Sequence, residues 1–453
     1  MPSEWQMDCL TSRIRSLHLE IGRVAEKQPA HAATHRIHGA LRSILKRFDR
    51  LLDDARRRAV PDQVRSVSAL EHTYGVVAKE LTRVTTMFRM CDRVDSPRIP
   101  FEILRSLSHL ASIFAGAPVD IVVHLSTEYN YEITSVSRQF ERYRWTTWWH
   151  AAVASPDGPD RDVLLMIFPS YEVGTTLLHA AAAHELGHVL AHRMDAEIST
   201  AVGNTITEVL EEFTEERREF VEVQGVPREM KDSSSENAWR VLLYRDSLIT
   251  KWIRETFADL VAARLVGPAY LAVMDRLSVG QRGDIFHPPI AVRRRIIKSY
   301  LKRHLRHVFV DPAWRDVKQG EAPKPARDVA TRCGSAICER ALEPLAALLV
   351  GLNTPLADRQ ILADGVRRVA DRLDNLAPPS LDLSITNIGE VASAFWLMIY
   401  ASARYRVSIR RYAAFCERYG WQNTTEIADS ALNSMLLNAL QNLDVKLRWE
   451  STR

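Results

Sequence analysis

Residues 184 to 192 read HELGHVLAH, three histidines and a glutamate inside a run of Ala, Leu, Val and Gly. Residues four apart on an α-helix share one face, one turn from each other, so His184 and His188 can aim both imidazoles at a single ion. Glu185 then lies beside the ion rather than on it, where its carboxylate can take a proton from metal-bound water. His192 continues the same face. It sits about 12 Å beyond His184 at ~1.5 Å of rise per residue, too far to share an ion bound at ~2 Å. It is expected as a helix-end histidine favoured by the dipole. The longer pattern with a third histidine six residues on is absent, since that position is Met194.

A catalytic zinc site needs a third protein ligand and one open position for water. The segment WIRETFADLVAARLVGP offers Glu255 and Asp259, again four apart, on a helix that is otherwise apolar. Two buried carboxylates without a cation would be costly, and a nearby metal with its imidazoles would explain them. Glu255 is therefore the expected third ligand. Asp259 is expected to accept a hydrogen bond from the far nitrogen of a ligand histidine, fixing its tautomer. Taken alone, the same pair could be the exposed face of an amphipathic helix; the preceding HELGH helix reverses that preference.

The order H-E-x-x-H, E-x-x-A-D and then FHPPIAVRRRI (286 to 296) resembles the gluzincin metallopeptidases. It is similar above all to the catalytic domains of prenyl-protein peptidases and of heat-shock membrane peptidases of the HtpX type. The resemblance spans residues 175 to 300. It implies His184, His188 and Glu255 as zinc ligands, Glu185 as the catalytic base and Asp259 as the outer partner. It also implies that His287 and Arg293 face the substrate and steady the developing oxyanion. Those relatives are embedded in membrane, whereas the sequence here has no run of ~18 apolar residues, so their substrates are not carried over. The strands ahead of the motif fit the general zincin plan, shared with small cytosolic regulators of the ImmA type.

Composition sets the frame for this chemistry. The chain has 453 residues, 46% of them hydrophobic, enough for two or three domains with ordinary cores. Its 60 Lys and Arg against 56 Asp and Glu leave +4, interspersed rather than in blocks. Nucleic acid is therefore not the favoured partner. The first residues, MPSEWQMDCL, lack the basic start and apolar run of a secretory signal, and five scattered cysteines suit a reducing compartment. A cytoplasmic protein is expected.

The elements that must position these residues read as α+β, mostly α. Apolar residues stepping by three and four, Leu10-Ile14-Leu17-Ile21-Val24, Ile37-Leu41-Ile44-Phe48-Leu51 and Val67-Leu70-Tyr74-Val77-Leu81-Val84-Phe88, predict three helices separated by prolines. They would form a bundle or a coiled-coil-like arm, or pack on the rest of the chain. Such an arm would suit pairing with a second copy or a partner protein. Strands are expected at 119 to 125, 129 to 136, 145 to 154 and 162 to 168, the last two as a hairpin. The strand at 162 to 168 is a candidate edge for an extended substrate. The expected layout is a helical region at 1 to 115, a zincin-like core at 116 to 310 and a C-terminal helical domain at 311 to 453. His31, His35 and His38 have ligand spacing as well, but their polar neighbours predict a solvated surface.

The expected activity is that of a zinc-dependent endopeptidase acting on a protein or peptide. The alternative is a helical interaction scaffold around a structural or inactive zincin core.

Overall fold

The computed structural model describes residues 4 to 26, 32 to 59, 63 to 92, 114 to 127, 131 to 136, 162 to 169, 181 to 213, 248 to 277, 287 to 304, 329 to 351 and 359 to 374, with a few single positions besides. The described residues are mostly helical with one small sheet. The chain divides into two compact units, residues 1 to 104 with 108 to 173, and residues 105 to 107 with 174 to 453. The sheet thus groups with the N-terminal helices rather than with the HELGH helix.

In the first unit, helices α1 (Glu4–Glu26), α2 (Ala32–Arg58) and α3 (Val64–Asp92) follow the three periodic segments. Leu10, Ile14, Leu17 and Ile21, then Ile37, Leu41, Ile44 and Phe48, then Leu70, Val77, Leu81, Val84 and Phe88 are all buried. Each such side chain removed from water contributes about 1.5–3 kcal/mol. The seam therefore outweighs the exposed ion pairs along it, such as Arg56 with Glu4 and Asp8. The α2 seam departs from expectation at its end, where Leu52 is buried and Leu51 is 37% exposed. A straight helix of 3.6 residues per turn drifts off a strict seven-residue repeat, and the next residue takes over the inward position.

Three strands make the sheet: β1 (Val119–Ser126), β2 (Glu132–Ser135) and β3 (Asp162–Pro169), in the order β1-β3-β2. β3 pairs in parallel with β1 from Val119↔Asp162 to Ser126↔Pro169, and antiparallel with β2 from Glu132↔Ile167 to Ser135↔Leu164. Val122, Val136, Val163 and Leu165 join the core of the three helices, so the helices pack on the sheet rather than standing out as an arm. β3 is buried on both faces, as its unbroken apolar run requires. An ion pair between Arg36 and Asp120 ties α2 to β1.

Two expectations are corrected here. β3 is the central strand, paired along both sides, so its backbone is not an edge for a substrate to join. His38 is buried, edge-on to the ring of Phe88 at 5.7 Å, while His35 is exposed. His38 shares the inward face of α2 with Thr34, Leu41 and Leu45, all buried. The expected strand at 145 to 154 and its hairpin, residue His31 and most of the C-terminal region lie outside the described residues.

In the second unit, α4 (Ala181–Arg193) carries HELGH and is followed by α5 (Asp195–Glu212). α6 (Leu248–Val266) carries ETFAD, and α7 (Ala269–Leu277), α8 (Ile290–His304), α9 (Val329–Arg340), α10 (Leu342–Gly351) and α11 (Arg359–Asp374) complete it. α6 is apolar nearly all round, with Ile253, Phe257, Ala258, Leu260, Val261 and Ala262 buried, which makes it the central helix. α4, α7, α8 and α9 pack on it. Gly334 of α9 lies under Trp252, where a Cβ would come within 2.8 Å of the indole ring.

Candidate metal centre

The centre forms where α4 crosses α6. Gly187 makes the crossing close: a Cβ there would lie 2.6 Å from Ala258 Cα and 2.8 Å from its carbonyl oxygen. The glycine inside HELGH thus lets two backbones touch, and that contact brings the histidine face of α4 onto the Glu255 and Asp259 face of α6.

His184 Nε2 and His188 Nε2 are 3.1 Å apart. Glu255 completes a triangle, with Oε2 3.3 Å from His184 Nε2 and Oε1 3.3 Å from His188 Nε2. Donors ~2.0–2.1 Å from a tetrahedral ion are separated by about 3.3 Å, so each imidazole nitrogen stands at ligand spacing from the other and from one oxygen of the Glu255 carboxylate. Glu255 Oε2 is buried without a well-formed hydrogen bond. Such an atom asks for a cation. His184, Glu185 and His188 each bring a ligand atom within 4.8 Å of the others, a group that could hold a metal ion. Two imidazoles with carboxylates form a donor set that suits a first-row divalent metal ion.

Behind His184 the site is buried. Asp259, 1% exposed, sets Oδ1 3.0 Å from His184 Nδ1. Arg293 from the first turn of α8 grips the same carboxylate in a fork, Nε to Oδ2 and Nη2 to Oδ1, both at 2.7 Å. Pro288 and Pro289 place that turn, with the Pro289 carbonyl accepting from the amides of Val292 and Arg293. Tyr270 from α7 donates to Asp259 Oδ1 at 2.6 Å and lies 3.0 Å from His184 Nδ1.

Electrostatics follow from the packing. Burial opposes ionisation of Asp259 and Glu255. For Asp259 the Arg293 guanidinium outweighs burial, for Glu255 the two histidines do, and both carboxyls are held well below the usual carboxylate range. Burial likewise opposes the charged form of His184, but the two carboxylates outweigh it and raise its pKa. His188 is pulled down, first by burial and then by the charge on His184.

Each site residue expected from the sequence has a definite place. His184, Glu185, His188, Glu255 and Asp259 come together. His287 is the most exposed of these side chains, at 45%, with its Nε2 3.6 Å from Glu255 Oε2. Arg293 is 13% exposed and its Nη2 is 3.8 Å from Glu255 Oε2, but its fork is given to Asp259. It braces the carboxylate rather than reaching outward. His192 is exposed at the end of α4 and takes no part. Arg295, the third of the arginine run, faces solvent and pairs with Glu339.

No protein-family model matches the chain, and no curated protein or solved structure does. The site's own geometry carries the functional argument.

Sequence reasoning missed Tyr270 and the part played by Gly187. The signal for Gly187 lay inside the motif itself. For Tyr270 the signal is Gly267-Pro268, a pair that ends one helix and starts the next. Gly267 adopts φ 63° and its amide closes α6 on Ala263, after which α7 starts and drops Tyr270 over the Asp259 face.

Among the described residues no helix is long and apolar enough to cross a membrane.

Proposed function

We propose that the chain is a zinc-dependent endopeptidase in which His184, His188 and Glu255 hold the ion and Glu185 is the general base. The observation that supports this reading is the close approach of three ligand groups, with the two imidazole nitrogens 3.1 Å apart and each 3.3 Å from a different oxygen of the Glu255 carboxylate, and with Glu185 beside them. A zinc ion held there supplies Lewis acidity, which makes water acidic near neutral pH and polarises a carbonyl oxygen.

The chain's own residues do the rest. Glu185, next in sequence to a ligand histidine, accepts the proton of the attacking water and returns it to the departing amine. His287, exposed beside Glu255, would donate to the carbonyl oxygen of an incoming peptide as negative charge develops on it. Asp259 and Arg293 keep His184 in register from behind. The substrate is a protein or peptide, and the free thiols of Cys9, Cys91, Cys333 and Cys338 agree with a reducing compartment such as the cytosol.

The decisive variant is Glu185→Gln. It keeps shape and hydrogen bonding but cannot take a proton. Zinc stoichiometry should stay at about one per chain while peptide cleavage falls by roughly 10²–10⁴-fold, the range for losing a general base. Cleavage by this variant at the wild-type rate, or a wild-type protein that takes up no zinc, would rule the reading out. Comparing the proteins cleaved in cells expressing wild type and Glu185→Gln would then name the substrate.

A further inference from the structure

The Tyr270 hydroxyl has two polar neighbours, and which of them it serves decides the proton on His184. It is 2.6 Å from Asp259 Oδ1 and 3.0 Å from His184 Nδ1, with the tyrosine only 2% exposed. A phenol has one proton to donate. Given to Nδ1, it would leave a neutral His184 with its proton on Nε2, the nitrogen that faces His188 and Glu255, and that nitrogen could not bind a cation. Given to Asp259, it leaves Nδ1 protonated and Nε2 with a free lone pair.

We infer that Tyr270 is a positioning residue for the metal centre, donating to Asp259 Oδ1 so that His184 keeps its proton on Nδ1 and presents Nε2 to the ion. The shorter distance runs to the carboxylate, and the geometry around Asp259 supports the assignment. Arg293 takes Oδ2 through Nε and shares Oδ1 through Nη2. Tyr270 and His184 Nδ1 meet the remaining side of Oδ1. With donors on both sides, the carboxylate cannot rotate away from the imidazole without losing two or more charge-assisted bonds. The ring of Tyr270 also lies nearly parallel to that of His184, at 14° and 6.0 Å between centroids, and limits its tilt. The backbone fixes the hydroxyl in turn. Gly267 holds a left-handed φ of 63°, and the Tyr270 amide bonds to the Gly267 carbonyl at 3.2 Å, so the tyrosine enters α7 at a set angle to α6.

This inference rests on the metal-site reading above, and the test separates the two. Zinc affinity is measured by chelator competition on the full-length chain as wild type, Tyr270→Phe, Asp259→Asn and the double variant, with helix content checked first by circular dichroism. Tyr270→Phe should weaken zinc by roughly 10–100-fold, the range for losing an outer partner of a ligand. In the Asp259→Asn background that loss should largely disappear, because the hydroxyl acts through this carboxylate. A hydroxyl that only satisfies the core would lower thermal stability and leave zinc affinity unchanged, and that result overturns the inference. So does an undiminished loss in the Asp259→Asn background. If the wild type itself takes up no zinc, the metal reading fails and the inference with it; a zinc-binding wild type with an unaltered Tyr270→Phe overturns the inference alone. Should Tyr270→Phe not fold, proton NMR of the zinc-loaded wild type decides. A slowly exchanging, downfield Tyr270 hydroxyl proton near the His184 Nδ1 proton is expected, and a freely exchanging hydroxyl overturns the assignment.

Discussion

Gly187 rests on the backbone of Ala258, so close that any side chain at 187 would collide with Ala258 Cα and its carbonyl. The contact lies between His184 and His188 on one helix and between Glu255 and Asp259 on the other. The distance between α4 and α6 at this point sets the size of the ligand triangle. Gly187→Ala should therefore destabilise the chain by about 1–3 kcal/mol, the usual cost of overpacking, because the obstacle is backbone rather than a movable side chain. It should also weaken zinc binding in whatever protein still folds. Chemical denaturation and chelator competition measure the two effects; a variant with wild-type zinc affinity would show that the crossing does not set the triangle.

Glu255 and His192 offer an opposed pair. Glu255→Gln removes a donor of the triangle, and His192→Ala removes an exposed histidine that takes no part in it. The first should lower zinc affinity by more than the roughly 10–100-fold expected for an outer partner; the second should leave it unaltered. Thermal unfolding with and without chelator adds a second readout. At zinc near 100 times the dissociation constant, binding stabilises the fold by about 2.7 kcal/mol. The chelator-induced drop in Tm should persist in His192→Ala and vanish in Glu255→Gln.

A third prediction concerns pH and the first unit. Glu80 of α3 is buried beside Arg83, and burial raises its pKa above the ordinary glutamate value of 4.5 despite the attraction of Arg83 and Lys79. The unfolded chain gives up this proton first as pH rises. The stability linked to Glu80 is thus fully present below about pH 4.5 and is lost as pH rises through the higher folded value. Glu80→Gln has no proton to lose, so its Tm relative to wild type should become more favourable between pH 4 and pH 7. A Tm difference that stays constant or reverses over that range would contradict it.

Much of the centre was legible because helices convert spacing into direction. His184 and His188, and then Glu255 and Asp259, are both four-residue pairs, and a helix puts each pair on one face whatever surrounds it. His192 could be set aside on rise alone. The same rule cannot say which face meets which, and Tyr270 reaches the centre only because a left-handed glycine redirects the chain between α6 and α7. Arg293 was legible as a site residue by its place after H-P-P, but its partner depended on where Asp259 would stand. In the first unit, the seams of α1 to α3 were readable and the sheet order was not. The pairing of β3 with β1 joins segments some 40 residues apart, and local alternation carries no record of it. The polar setting of His38 in sequence likewise hid an inward-pointing ring.

Exposure rises in steps across the centre. Among the described residues Asp259 is the most buried, His184 and Glu255 come next, His188 is partly open, and His287 is the most exposed. Among the described residues, access to the group therefore improves toward His287. On the proposed function, metal, water and a peptide carbonyl would all approach from that side, and each one seated there would delay the others. Metal exchange should then be slower while a peptide is bound, so that a bound substrate would protect the site against loss of its ion.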